Sequence, residues 1–272
     1  MAASPIDRFI ERLASEPAVL VSVDSTEGSA PREAGAWMAV FGNGTAVGTV
    51  GGGHLEFEAI ALARRALGGE AIEPMRRFAL GPSLGQCCGG VVHLRFERVQ
   101  PADAATLRVR LETQAAAQRM PVALFGGGHV GRAIVLALLP LPVNVQWFDS
   151  RDEVFPPGLP QRVRTEHSAP IEAAVAGLVP GSRVLVMSFS HAEDLDIVAA
   201  CLKRLRQRAD LPFLGLIGSR SKWASFRHRL EARGYSQPEL AAVTCPIGVP
   251  GVAGKEPEVI AAAVAAQLMQ QR

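Results

Sequence analysis

The sequence predicts an α/β protein, with a C-terminal Rossmann-type doubly wound sheet preceded by an N-terminal α+β domain. Three observations carry this reading. Residues 120–149, MPVALFGGGHVGRAIVLALLPLPVNVQWFD, run as strand, glycine turn, helix, strand and terminal acid. The chain beyond them alternates strand and helix in the rhythm a parallel sheet requires. The chain before them shows hairpins and little βαβ rhythm. The division predicted is residues 1–118 and residues 119–272.

In the central stretch, residues 121–125 are an apolar run too short for periodicity to separate strand from helix. The glycines that follow at once decide for strand. Gly126, Gly128 and Gly131 satisfy G-x-G-x-x-G, and an apolar helical run over residues 130–139 follows without a break. Pro140 and Pro142 stop that helix, and residues 143–148 read as a second strand ending on Asp149. That acid stands close to the ~20-residue spacing at which a ribose hydroxyl is met. Physically, helix-start N–H groups face a phosphate, and missing Cβ atoms let it approach. The motif implies a phosphorylated ligand without saying which one.

Composition narrows the function classes. A net charge of +2 gives no electrostatic case for nucleic acid or an anionic membrane. The 28 basic residues include lysine only at Lys203, Lys222 and Lys255, a bias that a GC-rich genome explains. No apolar run approaches the ~18–20 residues of a membrane span. The opening MAASPIDRFIERLAS lacks the apolar stretch of a signal peptide. Four cysteines make no disulfide framework, so a reducing cytoplasm is expected.

In chain order, residues 5–14 predict an amphipathic helix with Ser4 as N-cap and Ile6, Phe9, Ile10 and Leu13 on one face. Residues 19–24 are a strand by β-branched content. A loop shaped by Gly28, Pro31 and Gly35 leads to a strand at 37–41, a hairpin turn at Gly42-Asn43-Gly44 and a return strand at 46–50. Gly51-Gly52-Gly53-His54 then opens a helix over 55–67. Strands are expected at 72–80 and 91–99, flanking the loop GPSLGQCCGG, and a polar-faced helix at 101–119. After Asp149 the expected order is a Pro-rich excursion (154–160), a short helix (171–178), a strand (184–187) and a helix (193–208). A strand (213–217), a helix (223–233), a short strand (243–246) and an Ala-rich helix (257–271) complete it. The second half thus has about five strands, with the ligand crevice at their C-termini.

Five places carry candidate chemistry. The turn holding Gly126, Gly128, His129 and Gly131 is the first. Asp149, the second, either meets a ribose, caps a turn or pairs with Arg151. Gly52, Gly53 and His54 form another helix-start nest, either a second anion site or a hairpin exit. If both nests face one cleft, they hold two ends of an extended ligand. Cys87-Cys88 lacks zinc-type C-x-x-C spacing. Adjacent Cα atoms about 3.8 Å apart are also too close for an unstrained disulfide. Two thiols among four glycines instead suit a soft partner, such as molybdenum, copper(I) or a sulfur in transfer. His191, at a strand C-terminus, either faces the crevice or faces solvent. Cys201 reads as core, and an oxyanion role for Arg32 has nothing beyond its loop to support it.

The ordered set GSAPREAGAWMAV, GTVGGGHLEFEAI, LGPSLGQCCGG, LFGGGHVGRAIVLAL, GLIGSRSK and CPIGVPGVAGKEPEVIAAAVAAQLM resembles the xanthine dehydrogenase accessory protein family (XdhC/CoxI) from about residue 19 to 268. QCCGG and PIG with its following PE-x-x-A helix are the most distinctive pieces, and VPGVAGKE after PIG departs from the family pattern. The resemblance implies a cytoplasmic chaperone for the molybdenum cofactor of molybdopterin type, without turnover of its own. It implies protection of the cofactor while a cysteine desulfurase installs the terminal sulfur, then delivery to a molybdenum hydroxylase such as xanthine dehydrogenase. Self-association into a homodimer belongs to the same expectation. Cys87 and Cys88 would lie at the metal end, contacting molybdenum or its sulfur. The turn at 126–131 would hold the phosphate and Gly51–53 would complete the cradle. The alternative is an NAD(P)-dependent oxidoreductase built on the same βαβ unit, although no placed proton donor for hydride transfer is evident.

Overall fold

The computed structural model describes residues 4–81 and 89–271. It divides into two compact units, Met1–Ala117 and Gln118–Arg272. Each is a sheet with helices on both faces.

In the first unit, helix α1 (Pro5–Leu13) begins at a capping box in which Ser4 accepts from the Asp7 amide and Asp7 reaches back to the Ser4 backbone. Strands β1 (Ala18–Glu27), β2 (Trp37–Phe41), β3 (Ala46–Gly48), β4 (Met75–Ala79) and β5 (Val91–Val99) form an antiparallel sheet in the order β3-β2-β1-β5-β4. Helix α2 (Gly53–Leu67) covers one face, where Val19, Val21 and Val23 pack with Leu55, Ala59 and Ala63. Helices α1 and α3 (Ala104–Ala117) cover the other, where Ala18 and Leu20 meet Phe9, Leu13, Leu107 and Leu111. Alternate residues of β1 therefore enter two different cores. Both faces are buried, and that is why its sequence reads as a continuous apolar run.

The second unit contains β6 (Met120–Phe125), α4 (His129–Leu138), β7 (Val143–Asp149), β8 (Val163–His167) and a 3-10 helix, Ile171–Gly177. It continues with β9 (Arg183–Val186), α5 (His191–Arg208), β10 (Phe213–Leu216), α6 (Arg220–Ala232), α7 (Gln237–Leu240), β11 (Val243–Thr244) and α8 (Pro257–Gln270). All its strands are parallel, in the order β11-β10-β9-β6-β7-β8. Counted within the unit this is the 3-2-1-4-5-6 arrangement of the dinucleotide-binding fold. Helices α4 and α8 pack on one face through Ile134, Leu138, Val264 and Leu268. Helices α5 and α6 pack on the other through Leu195, Val198, Phe226 and Leu230. Each such side chain removed from water contributes about 1.5–3 kcal/mol. The strand order reverses between β6 and β9, and the crevice lies at their C-terminal ends.

The sheet has six strands where about five were expected. The addition is β8, an edge strand whose VRTEH buries only Val163. The expected strand at 72–80 begins later, at Met75, and the region 101–119 divides into a 3-10 turn, Pro101–Asp103, and α3.

Candidate functional site

The turn between β6 and α4 is fixed from three sides. The Gly126 amide donates to Phe148 O at 2.8 Å, and its carbonyl accepts the Trp147 indole N–H at 2.9 Å. Met187 donates its amide to Phe125 O at 2.8 Å, which ties β9 to the same corner. Gly126 has φ of 124°, and a Cβ there would stand 2.0 Å from Met187 O. A Cβ at Gly131 would stand 2.0 Å from Gly126 O, so its glycine is required by close approach of turn and helix. Gly128 differs, because nothing lies within 4 Å of where its Cβ would be. Gly126 and Gly127 are buried, whereas Gly128 and His129 face solvent.

Gly128 is the N-cap of α4 and supplies no side-chain cap, and the first turn of α4 contains no acid. The amides of the first turn have no intrahelical acceptor by geometry. Other strand-to-helix turns close themselves. Ser190 caps α5 by accepting from the Glu193 amide at 3.2 Å, and Ser219 caps α6 by accepting from the Lys222 amide at 3.1 Å.

Asp149, at the end of β7, is 1% exposed. Its Oδ2 accepts the Gly127 amide at 2.5 Å and Arg151 Nη2 at 2.9 Å, while Oδ1 accepts the Arg151 amide and Nε at 2.9 and 2.8 Å. Burial pushes this carboxyl up, but the Arg151 guanidinium and the two amides outweigh it, and the net shift is downward. The carboxylate expected to meet a ribose, to cap a turn or to pair with Arg151 is thus engaged by Arg151 and by the glycine turn.

The sequence did not single out the acid–base pair at the ends of β9 and β10. Asp194, in the first turn of α5, is 2% exposed and accepts the Ser188 amide and hydroxyl at 2.7 and 2.8 Å. Lys222 Nζ binds its other oxygen at 2.6 Å and also reaches Ile217 O at 2.9 Å. In a buried pair of this kind the cost of desolvating both charges offsets much of their attraction. His191 begins α5, is exposed, and meets the Phe226 ring edge-on at 6.3 Å.

A sequence profile described as the XdhC Rossmann domain matches residues 122–268, more than half of the chain. A second, described as the XdhC and CoxI family, matches residues 12–79. The chain belongs to the XdhC and CoxI family. Two further likenesses accompany that membership. An uncharacterised protein of Escherichia coli K12, YqeB, is 26% identical over 260 residues, covering 93% of this chain and 43% of YqeB. The chain therefore spans less than half the length of that curated relative. A crystal structure from Bacillus halodurans, described as a xanthine dehydrogenase, superposes with a TM-score of 0.73 at 19% identity, covering 99% of this chain and 96% of that one. At that identity the likeness establishes the fold.

Within this XdhC-family chain, the other glycine nest is occupied by the protein itself. Glu56 Oε1 accepts the amides of Val50, Gly51 and Gly52 at 2.9, 3.2 and 2.9 Å, together with the Thr49 hydroxyl. Burial raises the Glu56 pKa, but these donors prevail and the net shift is downward. The amides of Gly51 and Gly52 already have an anion, supplied from the first turn of α2. His54 is exposed, lies 3.2 Å from Glu58 Oε1 and stacks on the exposed Phe57. Cys87 and Cys88 lie outside the described residues. Among the described residues, no three His, Cys, Asp or Glu side chains are grouped to hold a metal ion, and no helix is long and apolar enough to cross a membrane.

Proposed function

We propose that this chain carries a molybdopterin-type cofactor as cargo, with the phosphate at the start of α4. Its family membership supports a role in xanthine dehydrogenase maturation. The observation that carries the finer reading is the α4 turn. Of α2, α4, α5 and α6, only α4 has neither a side-chain cap nor an acid in its first turn. Its amides sit at the C-terminal end of β6, beside the reversal of strand order, where phosphorylated ligands are received.

In this reading Gly128, His129 and Gly131 surround the phosphate, and Asp149 holds the turn rather than the ligand. In it the Cys87-Cys88 thiols have the task of binding molybdenum or its sulfur, while a cysteine desulfurase supplies the terminal sulfur. The loaded chain then passes the cofactor to a xanthine dehydrogenase-type hydroxylase in the cytoplasm, acting as a homodimeric carrier with no turnover. Gly52, Gly53 and His54 shape the loop around Glu56 instead of completing the cradle.

The discriminating experiment is anaerobic incubation of the apoprotein with molybdenum cofactor or with NADPH, followed by desalting and quantification of what is retained. The expected result is retained pterin and molybdenum without nicotinamide, with retention lowered in Cys87→Ala. Tight NADPH binding with substrate turnover would replace the carrier by an oxidoreductase.

A further inference from the structure

Strand β8 leaves one edge of the parallel sheet open. It pairs with β7 on one side only, and of its residues, VRTEH, Val163 alone is buried. The pairing with β7 fixes which backbone groups face outward. Val145 donates its amide to Arg162 O at 2.8 Å, and Ser168 donates its amide to Asp149 O at 3.0 Å. The ladder to β7 therefore runs through Arg162, Arg164, Glu166 and Ser168, and the residues between them turn their N–H and C=O groups the other way. Val163, Thr165 and His167 thus line the free edge with backbone groups. The Val163 amide is taken by Pro160 O at 2.8 Å, which leaves its carbonyl to accept.

The side chains of this edge carry a second signal. Arg164 and Glu166 stand two residues apart and so share one face of the sheet, opposite to that of Val163. The register sets Arg164 beside Gln146 and Glu166 beside Phe148. Both are exposed, and among the described residues neither has an ion-pair partner. An open edge guarded against its own copies carries charges that repel them or a proline. Here the charges change sign about Thr165. A second copy of β8 laid antiparallel, with the two-fold axis at the Thr165 pair, sets Arg164 of each copy opposite Glu166 of the other. The outward backbone groups meet in the same register. The two Thr165 residues exchange both their bonds, and each His167 amide donates to the Val163 carbonyl of the other copy. The charged pairs then fall at the non-hydrogen-bonded positions, where Cα atoms are about 4.5 Å apart and side chains approach most closely. Moving the axis one residue either way sets two arginines or two glutamates face to face.

We infer that β8 is the self-association surface of this chain, pairing antiparallel with β8 of a second copy so that two parallel sheets join across a two-fold axis. This rests on the homodimeric carrier proposed above and gives it an interface. The contact is short, so association is expected to vary with protein concentration.

Sedimentation velocity on the full chain over a range of concentrations tests it. The wild type is expected to show a monomer–dimer equilibrium. Arg164→Glu and Glu166→Arg each turn two symmetry-related attractions into repulsions, and each should weaken dimerisation about tenfold. The double variant, Arg164→Glu with Glu166→Arg, restores opposite charges and should dimerise like the wild type. An equimolar mixture of the two single variants should dimerise as well, because each copy then faces charges opposite to its own. Thr165→Pro should abolish dimerisation with little change in the denaturation midpoint, since its amide points away from β7. Single charge variants that dimerise like the wild type, or a mixture of them that stays monomeric, overturn the β8 interface and leave a homodimer built elsewhere. A wild type that stays monomeric at every concentration removes the homodimer itself and leaves the edge to an extended segment of another protein.

Discussion

Gly131→Ala will destabilise the second unit by about 3–5 kcal/mol and abolish cargo retention. The added Cβ would lie 2.0 Å from the Gly126 carbonyl oxygen, a backbone atom with little room to give. Moving that oxygen also breaks the 2.9 Å bond from the Trp147 indole. Gly126→Ala should behave alike, since its Cβ meets Met187 O at 2.0 Å and its φ of 124° disfavours any side chain. Gly128→Ala separates the two consequences. Its Cβ enters open space, and a φ of −69° suits alanine, so denaturation should be within about 0.5 kcal/mol of wild type. Cargo retention should nonetheless fall, because the phosphate position proposed for α4 lies in that open space. Equilibrium denaturation beside a retention assay on the three variants checks this. Normal stability of Gly131→Ala would refute the close-approach account.

Glu56→Ala will cost the first unit about 2–4 kcal/mol, because it strips the acceptor from three amides and a hydroxyl at once. Phosphate or sulfate should restore part of this loss by entering the vacated nest, an effect absent from the wild type. Acid should mimic the substitution. Glu56 has a lowered pKa in the folded chain, so its stabilisation is fully present above the unfolded value near 4.5 and is lost as pH falls through the lower folded value. Denaturation midpoints across that range, with and without phosphate, check both points. A Glu56→Ala midpoint that ignores phosphate would show that the nest does not take an external anion.

Much of the fold is legible in residues 120–149 because there local signals agree: an apolar run, glycines at fixed places, a helical apolar face and a terminal acid. Strand β8 was not legible, since an edge strand with one buried residue carries no alternation. The two GGGH stretches look alike in sequence yet differ in availability. The difference lies four residues into each helix: Glu56 follows Gly52 and closes the first nest, whereas Arg132 follows Gly128 and leaves the second open. A capping-box search extended by one residue would have found it. The Asp194–Lys222 pair was invisible for another reason. Its partners are far apart in sequence and meet only when β9 and β10 align.

The most direct measurement is a two-dimensional amide spectrum of the nitrogen-15-labelled chain, titrated with inorganic pyrophosphate and then with 6-hydroxymethylpterin. Gly128, His129, Val130 and Gly131 are expected to shift together on adding pyrophosphate, while Gly127, held by Asp149, moves less. Saturable pyrophosphate binding that leaves these four amides unmoved would contradict the phosphate position proposed for α4.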